Sequence, residues 1–112
     1  MAAMKTDAEI AEAALTELEC FYRSALGKLR SFRVFDRERG HFLLMNEGWK
    51  GYERVHSVWL HIELRDDKFY VHEDGTQQGV ANLLLAAGIP HHRIVLAMDA
   101  PSVREFGDFA VA

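Results

Sequence analysis

The most constraining feature of the chain is the run Arg54 to Arg65. Val58, Leu60, Ile62 and Leu64 are apolar, and Ser57, His61, Glu63 and Arg65 between them are polar. Val55 and Trp59 are the exceptions. Alternation with a period of two describes a strand with one face on a core and one toward water. Three further runs are β-rich: Phe32 to Phe35, His41 to Trp49, and Lys68 to Glu73. The joints between the four runs are short: Arg37-Glu38-Arg39-Gly40, a turn closed by Gly51, and Asp66-Asp67. Parallel strands need crossovers of a dozen or more residues, so these joints dictate an antiparallel meander.

Helices flank the meander. Thr6-Asp7-Ala8-Glu9 is a capping box, in which Thr6 accepts from the Glu9 amide and Glu9 reaches back. Apolar residues follow at Ile10, Ala14, Leu18, Phe21, Ala25 and Leu29, with Gly27 marking the frayed end. Cys20, the one cysteine, falls inside this amphipathic helix, where a free thiol acts as a small buried hydrophobe. After Asp74-Gly75-Thr76, Thr76 is placed to cap a helix from Gln77 to about Ala87, with Gly88 at C′ and Pro90 beyond it. Ile94 to Met98 reads as a short fifth strand or extended segment. The aromatic tail Arg104 to Ala112 reads as docked. The expectation is an α+β fold in one domain over residues 1–112: N-terminal helix, four-stranded antiparallel meander, second helix, short C-terminal strand or tail. At 112 residues, 49% hydrophobic and 27% charged, the chain has enough apolar surface for such a core. No apolar run approaches the ~18–20 residues of a membrane span. A lone cysteine and a start without an apolar export core point to the cytoplasm.

The search for chemistry is mostly negative. A two-residue Asp66-Asp67 loop sets His61 opposite His72, with the diagonal neighbour Glu63 on the same sheet face. Two histidines and a carboxylate can form a metal shell, but alternation already places polar residues on that face, so a polar surface cluster is the favoured reading. Asp66-Asp67 and Glu73-Asp74 suit turns. Phosphate-cradling glycine loops and nucleophile-elbow serines are lacking. No catalytic residue, cofactor, metal ligand set or small-molecule substrate is assigned.

Charge is uneven. The net charge is −4, yet Arg23 to Arg39 carries +4. Arg30, Arg33, Arg37 and Arg39 are therefore a candidate patch for DNA or an acidic partner, although solvated basic residues spread over several elements explain them more simply. Trp49 and Trp59 read equally well as interface anchors or as core, and Phe106 and Phe109 pose the same alternative.

From Phe35 onward an ordered set of short pieces resembles the XisI family of fdxN element excision controlling factors. The pieces are Asp36-Arg37-Glu38-Arg39, His41-Phe42-Leu43-Leu44-Met45, Gly48-Trp49, Arg54-Val55-His56, His61-Ile62-Glu63-Leu64, Asp74-Gly75-Thr76, Ala87-Gly88-Ile89-Pro90, Ile94-Val95-Leu96, Pro101, Arg104 and the ending Phe109-Ala110-Val111-Ala112. The chain departs from the family at Asp67, where Gly is common, and over Leu96 to Pro101, where Leu-Gly-Phe-His-Pro-Pro is common. The resemblance implies an α+β fold and a non-enzymatic regulatory role. It also implies an XisH-like partner of nuclease fold, with DNA engaged through that partner during site-specific excision of a DNA element. Trp49, Trp59, Arg104, Phe106 and Phe109 are the candidate partner interface. Direct DNA binding through the basic segment Arg23 to Arg39 is the alternative. A homodimer is also expected, because the edges of a small open sheet need cover.

Overall fold

The computed structural model describes residues 5–112. The first four residues, part of the start read above for an export signal, lie outside the described residues. The order of elements is α1 (Asp7–Tyr22), β1 (Arg30–Asp36), β2 (His41–Lys50), β3 (Glu53–Arg65), β4 (Lys68–Asp74), α2 (Val80–Ala86), β5 (Ile94–Val95) and α3 (Pro101–Arg104), with single 3₁₀ turns at Ser24–Leu26 and His91–Arg93. The five strands lie in sequence order in one sheet. β1 to β4 pair antiparallel, and β5 pairs parallel to β4 after the α2 crossover. Among the described residues no helix is long and apolar enough to cross a membrane.

Partners across an antiparallel ladder share a face. One face carries the rows Phe35–Phe42–Ile62–Val71 and Leu44–Leu60. These join Ala11, Leu15 and Leu18 of α1, Val80 and Leu84 of α2, and Ile94 in the core. The other face carries Phe32–Met45–Val58, Val34–Leu43–His61 and Asp36–His41–Glu63–Tyr70. The residues of β2 on the first face, Phe42, Leu44 and Asn46, are buried, whereas His41, Leu43, Met45 and Glu47 on the second are half-buried.

The capping box forms as expected: the Glu9 amide donates to Thr6 Oγ1 at 3.2 Å and the Thr6 amide to Glu9 Oε1 at 3.1 Å. The helix is shorter than its apolar stripe, however. It ends at Tyr22, so Ala25 is exposed, and Phe21 is 66% exposed. Cys20 is exposed too, a correction with a simple cause. The buried stripe runs through residues 11, 14, 15 and 18, and residue 20 lies about 200° around from Leu18 at 100° per residue. Glu19, in the last turn, is buried instead, held by Ser31 Oγ at 3.1 Å and Arg33 at 3.4 Å.

The second helix begins at Val80, three residues later than a cap at Thr76 implies. Asp74 displaces Thr76 as the organiser. Its Oδ1 accepts from the Thr76 amide (3.0 Å) and hydroxyl (2.6 Å), and its Oδ2 accepts from the Val80 amide at 2.8 Å. At the other end Gly88, at φ +99°, closes the helix as expected: the Ile89 amide donates to Leu84 O and the Gly88 amide to Leu85 O, the two bonds of a Schellman motif. Only Ile94–Val95 of the expected Ile94–Met98 run is strand. The tail docks by a bridge from Ala110 to Val95, with the Ala110 amide on Ile94 O at 2.9 Å.

Candidate functional site

Two bulges decide which side chains reach the sheet surfaces. On β3 the register slips beside Leu44/Met45, so that Leu44 faces Leu60 and Met45 faces Val58, leaving Trp59 as the extra residue. The bulge reverses the alternation locally. Trp59 turns under α1, edge-on to Tyr22 with centroids 6.2 Å apart, and Val58 takes the open face. The Trp59 indole N–H is buried and, among the described residues, is the one buried side-chain nitrogen or oxygen without a hydrogen-bond partner.

The second bulge lies on β4. Arg65–Lys68, Leu64–Phe69, Glu63–Tyr70 and Ile62–Val71 pair as the two-residue loop dictates, but His61 then faces Glu73. The expected His61–His72 pairing is therefore corrected. His72 is the extra residue, and it keeps the same face because two bulged residues oppose one partner. The imidazoles of His41, His61 and His72 form a row across three strands, with centroids 5.2 and 4.8 Å apart. His41 Nδ1 and His61 Nε2 are 3.0 Å apart, and His72 Nε2 is 2.8 Å from Glu63 Oε1. Arg65 lies 3.8 Å from Glu63 and stacks over the Tyr70 ring at 4.1 Å. The Glu63 carboxylate also lies 3.9 Å from His41 Nε2, yet among the described residues no three His, Cys, Asp or Glu side chains are arranged to hold one metal ion. His41 was the missed member. Sequence alternation finds it only once the β2–β3 pairing puts it opposite Glu63.

Burial lowers the pKa of His61, reinforced by the neighbouring His72 and His41 and opposed by Glu63. A hydrogen bond from His72 holds the Glu63 carboxyl below its ordinary range, burial working against it and Arg65 adding to the lowering. A histidine whose folded pKa is depressed stabilises the fold fully above its unfolded pKa of about 6.5, and that stability is lost as pH falls through the folded value. Glu63 behaves alike at lower pH, losing its contribution as pH falls through its own depressed pKa. Thermal melts taken from pH 7.5 to 5 are expected to decline, and His61→Gln is expected to flatten the first part of the decline. An unchanged slope in His61→Gln would assign the acid sensitivity elsewhere.

The candidate DNA-patch arginines are all engaged by carboxylates. Arg30 pairs with Glu47 at 3.0 Å, Arg33 with Glu19 at 3.4 Å, and Arg39 with Asp36 at 3.1 Å. Arg37 makes a two-pronged pair with Glu12, Nε to Oε2 at 2.7 Å. These partners come from α1, β2 and β1 itself, so the +4 of the linear segment is not a bare positive surface.

The candidate interface residues separate into groups. Trp49 is 58% exposed at the end of the β2–β3 hairpin, with Arg54 over its ring at 5.5 Å. Arg104, Phe106 and Phe109 converge on a groove of about 230 Å³ that Leu96, Val103 and Ala110 also line. Within it Phe106 is 90% exposed, and Phe109 is half-buried against His91, centroids 5.1 Å apart. Arg104 is spent on the chain's own carbonyls: Asp99 at 2.9 Å, Val111 at 3.0 Å and Ala97 at 3.2 Å. Exposed Val103, Met98 and Val111 add apolar surface in this C-terminal segment. A groove of about 450 Å³ between α1 and α2, lined by Ile10, Ala13, Leu83 and Ala87 among others, was not foreseen, because it depends on how the two helices cross.

Comparison with known proteins gives the arrangement a family. The chain is similar to the crystal structure of a XisI-like protein from Anabaena variabilis, with 29% identity and a TM-score of 0.76 over 90% of this chain and 95% of that one. It is also similar to the fdxN element excision controlling factor XisI from Anabaena variabilis, with 25% identity and a TM-score of 0.76 over 96% of this chain and all of that one. No curated protein matches the chain. The family model described as XisI protein matches residues 1–111, nearly the whole length over which the helix, meander and docked tail have been traced, and the chain therefore belongs to the XisI family.

Proposed function

We propose that this chain is a non-enzymatic regulatory protein that controls excision of a DNA element by acting with an XisH-like partner of nuclease fold. The observation that carries this reading is the end-to-end similarity to a protein named as an fdxN element excision controlling factor. The surface is compatible with it. Phe106 stands 90% exposed over an apolar groove, the kind of aromatic anchor on which protein interfaces concentrate their energy. A net charge of −4 suits a partner with a basic DNA-binding surface. The alternative of direct DNA binding is not favoured by the arginines, since each of Arg30, Arg33, Arg37 and Arg39 already has a carboxylate beside it that offsets its charge toward phosphate.

The test is co-expression with an XisH-like protein, followed by size-exclusion chromatography with light scattering at moderate salt. A complex of defined stoichiometry is expected. Phe106→Asp is expected to weaken it by about a hundredfold or more, the loss of a hot-spot aromatic at roughly 3 kcal/mol, without lowering the melting temperature of the free protein. Separate elution of the two wild-type proteins would refute the partner reading.

A further inference from the structure

The sheet has two edges, and the chain treats them differently. Beyond β5 its own C-terminal segment closes the ladder, through the Ala110–Val95 bridge and the Lys68 ammonium on Ala112 O at 2.6 Å. At the other edge β1 pairs, among the described residues, with β2 alone, leaving one side of a seven-residue strand unpaired. An unpaired edge of that length is a template for another strand.

The side chains of β1 point to which strand. Written against itself in antiparallel register about Arg33, β1 sets Arg30 opposite Asp36, Phe32 opposite Val34, Val34 opposite Phe32 and Asp36 opposite Arg30. All four residues lie on the open face, as their β2 partners Glu47, Met45, Leu43 and His41 show. Opposite charges at both ends and apolar pairs in the middle are favourable cross-strand combinations. On the helix-covered face Ser31 meets Phe35, and the two Arg33 residues meet at the axis. Each Arg33 is already drawn to its own α1, by Glu19 at 3.4 Å and Thr16 Oγ1 at 3.2 Å, which offsets the like charge. The axis stands perpendicular to the sheet, so a pairing of residue i with residue j brings j with i and closes as a two-fold dimer. It also extends the apolar row Val34–Leu43 and the row Phe32–Met45–Val58 across the seam, giving each copy cover that the helices do not supply.

We propose that the β1 edge is the docking surface for a second copy of this chain, and that two copies join by antiparallel β1–β1 pairing centred on Arg33 into one ten-stranded sheet. The reading is independent of the XisH-like partner, whose proposed Phe106 groove lies in the C-terminal segment that docks on β5, at the other edge of the sheet.

Sedimentation equilibrium of the full chain over a range of concentrations tests it. The wild-type chain is expected to be a dimer. Val34 is 40% exposed, so Val34→Lys removes apolar pairing and sets like charges beside the seam with little cost to the single chain. It is expected to raise the dimer dissociation constant at least about tenfold. Arg30→Asp and Asp36→Arg are each expected to weaken the dimer, and the double exchange Arg30→Asp/Asp36→Arg to restore it. A monomeric wild-type chain overturns the proposal. A dimer indifferent to Val34→Lys and to the charge exchanges overturns it equally, by showing that the copies meet elsewhere.

Discussion

Gly40→Ala is expected to cost about 3 kcal/mol or more, enough to leave much of a marginally stable domain unfolded. Gly40 sits at φ +78°, where an L side chain is disfavoured by about 1–2 kcal/mol. A second penalty is larger. A Cβ at this position would lie 2.6 Å from the backbone oxygen of Leu64. The turn cannot retreat, because Gly40 O accepts the Leu64 amide at 2.7 Å and the Gly40 amide donates to Asp36 O at 2.8 Å. Movement would break the bond that anchors the β1–β2 turn to β3. Gly51→Ala supplies the comparison: Gly51 has φ +62° and nothing within 4 Å of its missing Cβ, so only the backbone penalty of about 1 kcal/mol applies. Urea unfolding midpoints for both variants separate the two costs. Equal losses would show that the contact with Leu64 is not rigid.

Arg104→Ala is expected to lower stability by about 2 kcal/mol and to release the C-terminal segment. One guanidinium gathers three carbonyls, from Ala97, Asp99 and Val111, and so ties the turn after β5 to the end of the chain. A hydrogen bond with a charged donor is worth about 1.5–3 kcal/mol where solvent is partly excluded, and the released carbonyls recover part of this by hydration. Faster limited proteolysis beyond Ala97 is the direct readout, with the loss of the Ala110–Val95 bridge as its cause. Arg104→Lys is expected to rescue little, because an ammonium lacks the planar fork that reaches three acceptors at once. Unchanged stability and proteolysis, combined with a lost XisH-like complex, would instead assign Arg104 to the partner interface.

Which features were legible follows from how far apart their determinants lie. The capping box at Thr6–Glu9, the Gly88 helix stop and the Asp66-Asp67 hairpin depend on residues a few positions apart, so their spacing discloses them. The hairpin goes further: both aspartates adopt positive φ, 52° and 63°, as a two-residue loop demands. The meander was legible because its joints are too short for anything else. The end of α1 was not. Phe21 and Ala25 continue the apolar period, but the chain must turn at Gly27 to enter β1, so they fall outside the core.

The candidate sites show the same division. That Arg104, Phe106 and Phe109 share a groove was foreseeable from their closeness along the chain. That Arg104 faces inward while Phe106 faces out was not, since both lie in one short polar-aromatic tail. The pairing of the basic segment joins Arg37, in the β1–β2 turn, to Glu12 and Arg33, on β1, to Glu19, residues that meet only when α1 packs on the sheet.

The sequence by itself determined the class of fold and the order of its elements, because hydrophobic period and turn length are local properties of the chain, and the ordered short pieces from Phe35 onward carried the resemblance to the family. Only the tertiary structure decided which face each bulged residue takes. A one-residue slip between strands reverses the side of Trp59 and moves His72 out of register with His61, and that slip depends on packing beneath α1 and around α2 rather than on the alternation within either strand.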